Sequence, residues 1–490
     1  MKCSGRACSA GLPCGRVWVE RLTLNEIKDI VMGELMRGNG TTQVTSISID
    51  SRKIKSGELF WALPGERYDG HDFTREALSK GASGAVISKR DLVRNITPDA
   101  HLSQAFILVP DTLYALQTLA QTYRKRFSIP LIAVTGSNGK TTTKEIIAQV
   151  LSTKFKVLKN EGNLNNLIGL PLSLLALSSQ HQVAVLEMGM NRPGEIARLC
   201  EIAQPNIGII TNISTAHLEF LGSIENIQEA KAELVKSLKA DDLLILNADD
   251  ERVNSLSQRF PGKVLLYGLS PQAHIWADQI ELRGKEGSRF TLHAPDGGEI
   301  GINLNIMGLY NIYNALAGGA IGYVVKIPIA DIKKGLEGFR GIKMRLQPHI
   351  LQDNILLIDD SYNANPQSLQ YAIDSLISCC PHQGRSFLVM GDMLELGKDS
   401  EGLHRMVGGK IAQASIDFLV TLGPSASIAA EEAIQAGMDK GRVFICKDQR
   451  EIIQLLLEQL QTGDRVLVKG SRAMAMDKIV TRLMELRGDE

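Results

Sequence analysis

Net charge, aromatic rings and long apolar runs are all scarce in this chain. Lys+Arg and Asp+Glu each count 54 in 490 residues, so no net field draws it to nucleic acid or to an anionic membrane. Aromatics make up 5% of residues, and no basic tract is interleaved with them. That leaves nucleic acid without its usual platform. No apolar run reaches the roughly 20 residues that span a bilayer, and LIGLPLSLLAL at 167–177 is among the longest. The start, MKCSGRACSAGLPCGRVWVE, has basic residues but no apolar core of the signal-peptide kind. No transmembrane segment and a cytoplasmic location are therefore expected.

Paired C-x-x-C spacing is missing as well. Of seven cysteines, Cys3, Cys8 and Cys14 crowd the first fourteen residues, while Cys200, Cys379, Cys380 and Cys446 are scattered. A zinc site competes here with free thiols on a disordered extension, and the spacing favours the extension. Residues 1–21 are expected to be that tail, in a reducing compartment. Low-complexity tracts and short repeats are also lacking.

What remains is an ordinary soluble composition spread over a length that predicts several domains. Residues 22–125 read as a small α/β unit: TSISIDSRKIKSGELFWALPG alternates like a strand and breaks at Gly57 and Pro64-Gly65. From 126 to 340, short apolar strands such as PLIAVTG, VAVLEMG and NIGIITN alternate with helical patterns, as a parallel or mixed sheet requires. From 341 to 490, NILLIDD, SFLVMGD, DFLVTLG and RVLVKGS end in Gly, Asp or a polar residue. With a helical pattern after each, they put polar loops at the carboxyl edge of an open α/β sheet, where ligands bind. The predicted class is α/β in three domains.

VTGSNGKTTTKE at 134–145 resembles a phosphate-binding loop, although Val134 stands where the longer G-x-x-x-x-G-K-[ST] pattern has its first glycine. Gly136, Ser137, Asn138 and Gly139 let backbone N–H groups turn inward, and the following helix start favours an anion. Lys140 would reach the β- and γ-phosphates, Thr141 would offer its hydroxyl to Mg²⁺, and Thr142 follows in the first turn. The plainer alternative is a tight strand-to-helix turn.

Other candidates are weaker singly. Glu187 ends the strand VAVLE, and His217 follows NIGIITN. In SIENIQEAKAELVKSLK, the stripe through Ile224, Ile227, Leu234, Val235 and Leu238 calls for an apolar residue at 231, where Lys231 stands. Either it snorkels at the stripe's edge, or it is a buried amine with a lowered pKa. Asn163, Asn165 and Asn166 precede an apolar helix, as substrate contacts or as caps. DDSYNANPQS at 359–368 brings Asp359, Asp360, Asn363 and Asn365 to one strand end, more polar groups than a single turn needs.

TGSNGKTT, GNLNNLIGLPLSLL, DDSYNANPQS, GDMLELG with His404, VLVKGSR, DSR at 50–52 and FWALPGERYDGHDF together resemble the Mur ligase family, from about residue 22 to 485. The family's loop is of the shortened G-x-x-G-K-T kind, which accounts for Val134. The resemblance implies an N-terminal domain binding a UDP-linked substrate near Ser51 and Arg52, a central ATP domain, and a third, Rossmann-like domain bringing the amine. It implies ATP-dependent joining of D-alanyl-D-alanine to UDP-N-acetylmuramoyl-tripeptide through an acyl phosphate, by a monomer. Lys140, Glu187, His217 and Lys231 would be catalytic, with Thr141, Glu187, His217 and a carbamylated Lys231 serving one or two Mg²⁺ ions. Asn311, Arg345 and Asp360 would contact the nucleotide. Asn163, Asn165, Asn166, Tyr362, Asn363, Asn365 and Pro366 would face substrate. One departure is visible, Tyr310, which stands where relatives often have histidine; and NANP, lacking the arginine of the Asp-Asn-Pro-Arg motif used by the ligase adding the third peptide residue, speaks against that rival member.

Overall fold

The computed structural model describes residues 16–65, 67–95, 104–216, 218–379 and 384–488. Three sheets carry the chain. The first holds β1 (Arg16–Thr23), β2 (Glu34–Arg37), β3 (Gln43–Ser48), β4 (Leu59–Trp61), β5 (Gly84–Ile87) and β6 (Ala105–Leu108). Its order is β1-β3-β4-β5-β6-β2, with β3 to β6 parallel and both edge strands antiparallel. β1 begins inside the stretch expected to be a tail: Val17 and Val19 point inward and Trp18 outward, the alternation of a half-buried edge strand.

The second sheet has nine strands. They are β7 (Leu131–Thr135), β8 (Val157–Lys159), β9 (Val183–Glu187), β10 (Ile207–Ile210), β11 (Leu243–Asn247), β12 (Lys263–Gly268), β13 (Ile275–Leu282), β14 (Ser288–His293) and β15 (Glu299–Leu304). Their order is β15-β14-β13-β12-β11-β10-β7-β9-β8, and the last three by sequence form an antiparallel meander.

The third sheet comprises β16 (Gln347–Leu351), β17 (Ile355–Asp360), β18 (Ser386–Gly391), β19 (Phe418–Leu422), β20 (Val443–Cys446) and β21 (Arg465–Lys469). In the order β16-β17-β21-β18-β19-β20, all but β16 run parallel. One face buries Leu369, Ile373, Val407, Ile411 and Ala429, and the other buries Ile452, Leu456, Ile479 and Leu483. This is a doubly wound sheet. Because β21 returns between β17 and β18, the carboxyl ends of these three strands share a switch point, where a loop from each can meet a ligand.

By packing, the described chain forms two compact units. One takes Met1–Ala133, Phe155–Met190 and Gly194–Ile207, and the other Val134–Lys154, Asn191–Pro193 and Gly208–Glu490. In the first, the helix Thr112–Arg124 is anchored by buried polar side chains as well as by its apolar face. Tyr123 Oη accepts from Glu20 N at 2.9 Å and donates to the Leu177 carbonyl at 2.8 Å. Arg124 donates to the carbonyls of Phe127, Ile129 and Ala203. In the second, the glycine-rich helix Leu309–Val324 lies against the helix Lys140–Leu151, and a Cβ at Gly318 would meet Ile146 Cγ2 at 2.6 Å. Small residues there allow the close approach. Among the described residues, no helix is long and apolar enough to cross a membrane.

Tyr123→Phe strips a part-buried amide and a buried carbonyl of their partner at once. A loss of about 1–3 kcal/mol in urea unfolding is expected, and an unchanged midpoint would contradict this account of the anchor.

Candidate functional site

The loop after β7 cannot hold its shape alone. Gly136 has φ 150° and Gly139 φ 79°, and an added Cβ at Gly136 would lie 1.9 Å from Thr211 Oγ1. Residues just past β10 fix it from outside. Asn138 N donates to Asn212 Oδ1 at 2.8 Å, and the Asn138 carbonyl accepts from Thr211 Oγ1 at 2.7 Å and Asn212 Nδ2 at 2.9 Å. Ser137 N donates to the Asn212 carbonyl at 2.9 Å, and Ser137 Oγ accepts from Ser214 N at 2.8 Å and donates to the Ser214 carbonyl at 3.1 Å. Lys140 curls over the loop, its Nζ donating to the carbonyls of Gly136 at 2.9 Å and Ser137 at 3.2 Å. Thr142 is buried in the first helical turn. A glycine cradle under a lysine and a helix start is the architecture of a phosphate site.

Behind the cradle, Thr143 Oγ1 donates to Asn314 Oδ1 at 2.9 Å, and Asn314 Nδ2 donates to Asn311 Oδ1 at 2.9 Å. Asn311 Nδ2 donates to the Met307 carbonyl at 2.8 Å. Asn311 therefore sits behind the loop and reaches it through Asn314. Tyr310 stacks on Tyr371 of the helix Pro366–Ser378.

The loop also meets the third sheet's edge. Asn365 Nδ2 donates to Asn138 Oδ1 at 2.7 Å, while Asn138 Nδ2 donates to Asn365 Oδ1 at 3.4 Å and Gln367 Oε1 at 3.2 Å. Asn365 is at the same time the N-cap of the helix Pro366–Ser378, in a capping box with Ser368, and Pro366 opens the first turn. Asp360 is held on both oxygens: Oδ1 accepts from Leu346 N at 3.1 Å and Oδ2 from Lys469 Nζ at 2.5 Å. Lys469 also donates to the carbonyl of Asn363, whose side chain is exposed. Arg345 Nη2 donates to Thr141 Oγ1 at 3.0 Å, and its guanidinium lies 4.2 Å from the centre of the Tyr362 ring. Met344 and Leu346, either side of Arg345, are non-glycine residues at φ 62° and 47°, each storing about 1–3 kcal/mol of strain.

Lys231 lies on the helix Ile224–Ser237 and does not snorkel: it is 2% exposed and among the largest fully buried side chains. Burial holds its amine well below the usual lysine range, and the charge of Lys140 adds to the effect.

In the first unit, Glu187 closes β9 at 2% exposure. Oε1 accepts from Asn165 Nδ2 at 2.7 Å, and Oε2 has no hydrogen-bond partner among the described residues. Asn160, fully buried, accepts from Glu187 N and donates to the Glu187 carbonyl. The three asparagines of the sequence reading thus divide: Asn165 orients the carboxylate, Asn166 accepts from Ile168 N and Gly169 N in the turn that enters the helix Gly169–Leu175, and exposed Asn163 gives its carbonyl to Asn165 N. Ser51 Oγ donates to Glu76 Oε2 at 2.9 Å, and the exposed Arg52 is paired with Asp50. His217 lies outside the described residues.

No group of three or more His, Cys, Asp or Glu suited to a metal occurs among the described residues. A magnesium ion on a nucleotide needs no such cluster, because phosphate oxygens and water complete its octahedron around one or two protein oxygens. Taken separately, the orphaned Glu187 Oε2 of the first unit and the Thr141 hydroxyl of the second are each a protein oxygen of that kind.

Comparison with known proteins agrees with this arrangement. The profile of the Mur ligase middle domain matches residues 134–322, that of the Mur ligase family catalytic domain 43–124, and that of the Mur ligase glutamate ligase domain 344–472. The chain belongs to the Mur ligase family. It is 37% identical over 464 residues to the UDP-N-acetylmuramoyl-tripeptide–D-alanyl-D-alanine ligase of Bacillus subtilis, covering 94% of this chain and 98% of that one. The enzyme of the same name from Escherichia coli is 36% identical over 467 residues, covering 95% and 98%. Among solved structures, MurF from Acinetobacter baumannii superposes with a TM-score of 0.85 at 33% identity, covering 96% of this chain and 100% of that chain. MurF from Thermotoga maritima, in complex with ADP, gives 0.78 at 28%, covering 91% and 97%.

Sequence reading missed Asn160, Thr211, Asn212, Ser214 and Lys469. The signal for Thr211 to Ser214 was available, since a run of four residues with three polar ones follows the apolar strand β10.

The buried Lys231 generates a pH-dependent prediction. Its folded pKa lies below its unfolded one, so the unfolded chain holds the extra proton and the native state weakens as pH falls below about 10.4. Lys231→Met should therefore stabilise the protein in carbon-dioxide-free buffer, by more at pH 7 than at pH 9. The difference should not exceed about 1.4 kcal/mol per pH unit, and equal urea midpoints for variant and parent at both pH values would refute it.

Proposed function

We propose that the chain is the ligase that joins D-alanyl-D-alanine to UDP-N-acetylmuramoyl-tripeptide, with ATP cleaved to ADP and phosphate, in the making of a cell-wall peptidoglycan precursor. The observation that carries this reading is the Asn138–Asn365 amide pair. It ties a phosphate loop to the polar edge of a second nucleotide-type sheet, so that an activated carboxylate and an incoming amine can be served side by side. Relatives of that name, matched over nearly their whole length, support it. The division of labour expected from the sequence, with 22–125 for the UDP substrate, 126–340 for ATP and 341–490 for the amine, goes with it. So do a monomer and a cytoplasmic site of action.

In the first step the tripeptide's terminal carboxylate attacks the γ-phosphorus, forming an O–P bond as the bond to ADP breaks. In the second, the dipeptide's amine attacks the resulting acyl phosphate, the tetrahedral adduct expels phosphate, and the amine's proton leaves. The first step brings two anions together. At 4 Å and an effective dielectric of 20 a single pair of unit charges costs about 4 kcal/mol, so positioned cations matter more than acid–base groups. Lys140 and Arg345 supply fixed positive charge, and the loop's N–H groups add their dipoles. Magnesium, when bound, neutralises phosphate charge, and Thr141 and Glu187 are the proposed residues for it, with His217 for a second ion.

Lys231 is proposed to carry a carbamate. Its lowered pKa leaves a neutral amine, which adds to carbon dioxide and releases a proton, turning a buried cation into an anion able to bind metal.

The deciding assay is phosphate release with ATP, Mg²⁺ and UDP-N-acetylmuramoyl-tripeptide, with and without D-alanyl-D-alanine. Turnover that requires the dipeptide, with a pentapeptide product by mass, is expected. Turnover with L-lysine or diaminopimelate in its place would keep the family and discard this substrate. Lys231→Ala should lose about 100-fold or more in kcat, on the scale of removing one electrostatic stabiliser, with part restored by short carboxylic acids. Full activity of that variant would remove the carbamate from the scheme.

A further inference from the structure

Arg345 stands between two partners, the Thr141 hydroxyl at 3.0 Å and the face of Tyr362 at 4.2 Å. The hydroxyl it holds is the one the loop motif assigns to a divalent cation. A free arginine has many rotamers, yet this one is displayed by construction. The left-handed residues Met344 and Leu346 flank it, Tyr362 N donates to the Met344 carbonyl at 3.2 Å, and Asp360 accepts from Leu346 N. Lys469 fixes Asp360 in turn. Backbone strain, a buried ion pair and an aromatic ring thus converge on the placement of one guanidinium.

We propose that Tyr362 is a positioning residue for Arg345: its ring holds the guanidinium beside the glycine loop, next to the Thr141 hydroxyl, and keeps it there when nucleotide and metal bind. The inference rests on the ligase reading above. Attraction to the ring's electron-rich face depends on the cation's distance above the plane and little on its in-plane orientation. The guanidinium can therefore pivot from the hydroxyl toward a phosphate without passing through bulk water. By keeping Arg345 near the loop, the ring lowers the ordering cost when nucleotide binds.

The test is ADP affinity by calorimetry, with and without Mg²⁺, for the parent, Tyr362→Leu, Tyr362→Phe, Arg345→Ala and the double variant Arg345→Ala/Tyr362→Leu. Tyr362→Leu should weaken ADP binding about three- to tenfold at saturating Mg²⁺. Tyr362→Phe, which keeps the ring face, should bind as the parent does. In the Arg345→Ala background, Tyr362→Leu should have no further effect, because nothing remains for the ring to position. Parent-like affinity in Tyr362→Leu, or an undiminished loss in the Arg345→Ala background, would overturn the inference and leave the ligase reading standing. Failure of the parent to bind ADP would overturn both. A melting-temperature drop in Tyr362→Leu without a change in affinity would assign the ring to packing and overturn the positioning role.

Discussion

The rest of the site depends on the grip that the end of β10 keeps on the phosphate loop. A backbone with glycines at φ 150° and 79° has little local reason to stay in one shape, since glycine loses more freedom on ordering than any other residue. Thr211, Asn212 and Ser214 supply that reason through side-chain and backbone bonds to Ser137 and Asn138. The loop's N–H groups are thereby aimed before any anion arrives, so stabilising charge on a transferring phosphoryl group needs no reorganisation at the moment of reaction.

Fixing Asn138 has a second consequence. Its backbone is held by the residues past β10, and its side-chain amide, which also donates to Ser214 Oγ at 3.1 Å, pairs with Asn365, the cap of the helix that leaves the third sheet. The position of the loop after β17 is thus referred to the same backbone that shapes the glycine cradle. Neutral hydrogen bonds of this kind contribute only about 0.5–1.5 kcal/mol each. The tie sets a register for the two loops without making their separation prohibitive, as a reaction that admits and releases large substrates requires.

Much of this was legible in the sequence because it is local. Strand, loop and helix around Gly136 follow from apolar residues, glycines and the Lys-Thr pair in order. A stripe of five apolar residues with one gap singles out Lys231 but leaves open whether its amine snorkels or is buried, and the fold decides for burial. What was not legible is pairing at a distance. Asn165 reads as a substrate contact or a cap, and only the fold shows its amide spent on Glu187, 22 residues away. Lys469 reads as a strand's last residue, and its ion pair with Asp360 spans 109 residues. β1 was hidden for a related reason: Arg16–Thr23 offers two inward valines beside basic and cysteine-bearing neighbours, and its identity as a strand comes from pairing with β3.

Glu187 shows why such distant pairing matters for chemistry. A buried carboxylate with both oxygens free can rotate to whichever partner is nearest, and one with both oxygens bonded has nothing to offer a metal. Asn165 occupies one oxygen, and Asn160 clamps the backbone on either side of the Glu187 side chain. The remaining oxygen points in one direction and carries the unpaired cost of burial. A cation bound there, as proposed for the ligase reaction, would relieve that cost, and part of its binding energy would already be stored in the folded protein. The same logic applies to Lys231, whose buried amine is least stable as an ammonium. Carbamylation would convert that unfavourable cation into a ligand of the opposite charge. In both residues the chain gives up folding stability at one atom, and in both the relief comes from the group that the proposed ligase reaction needs there.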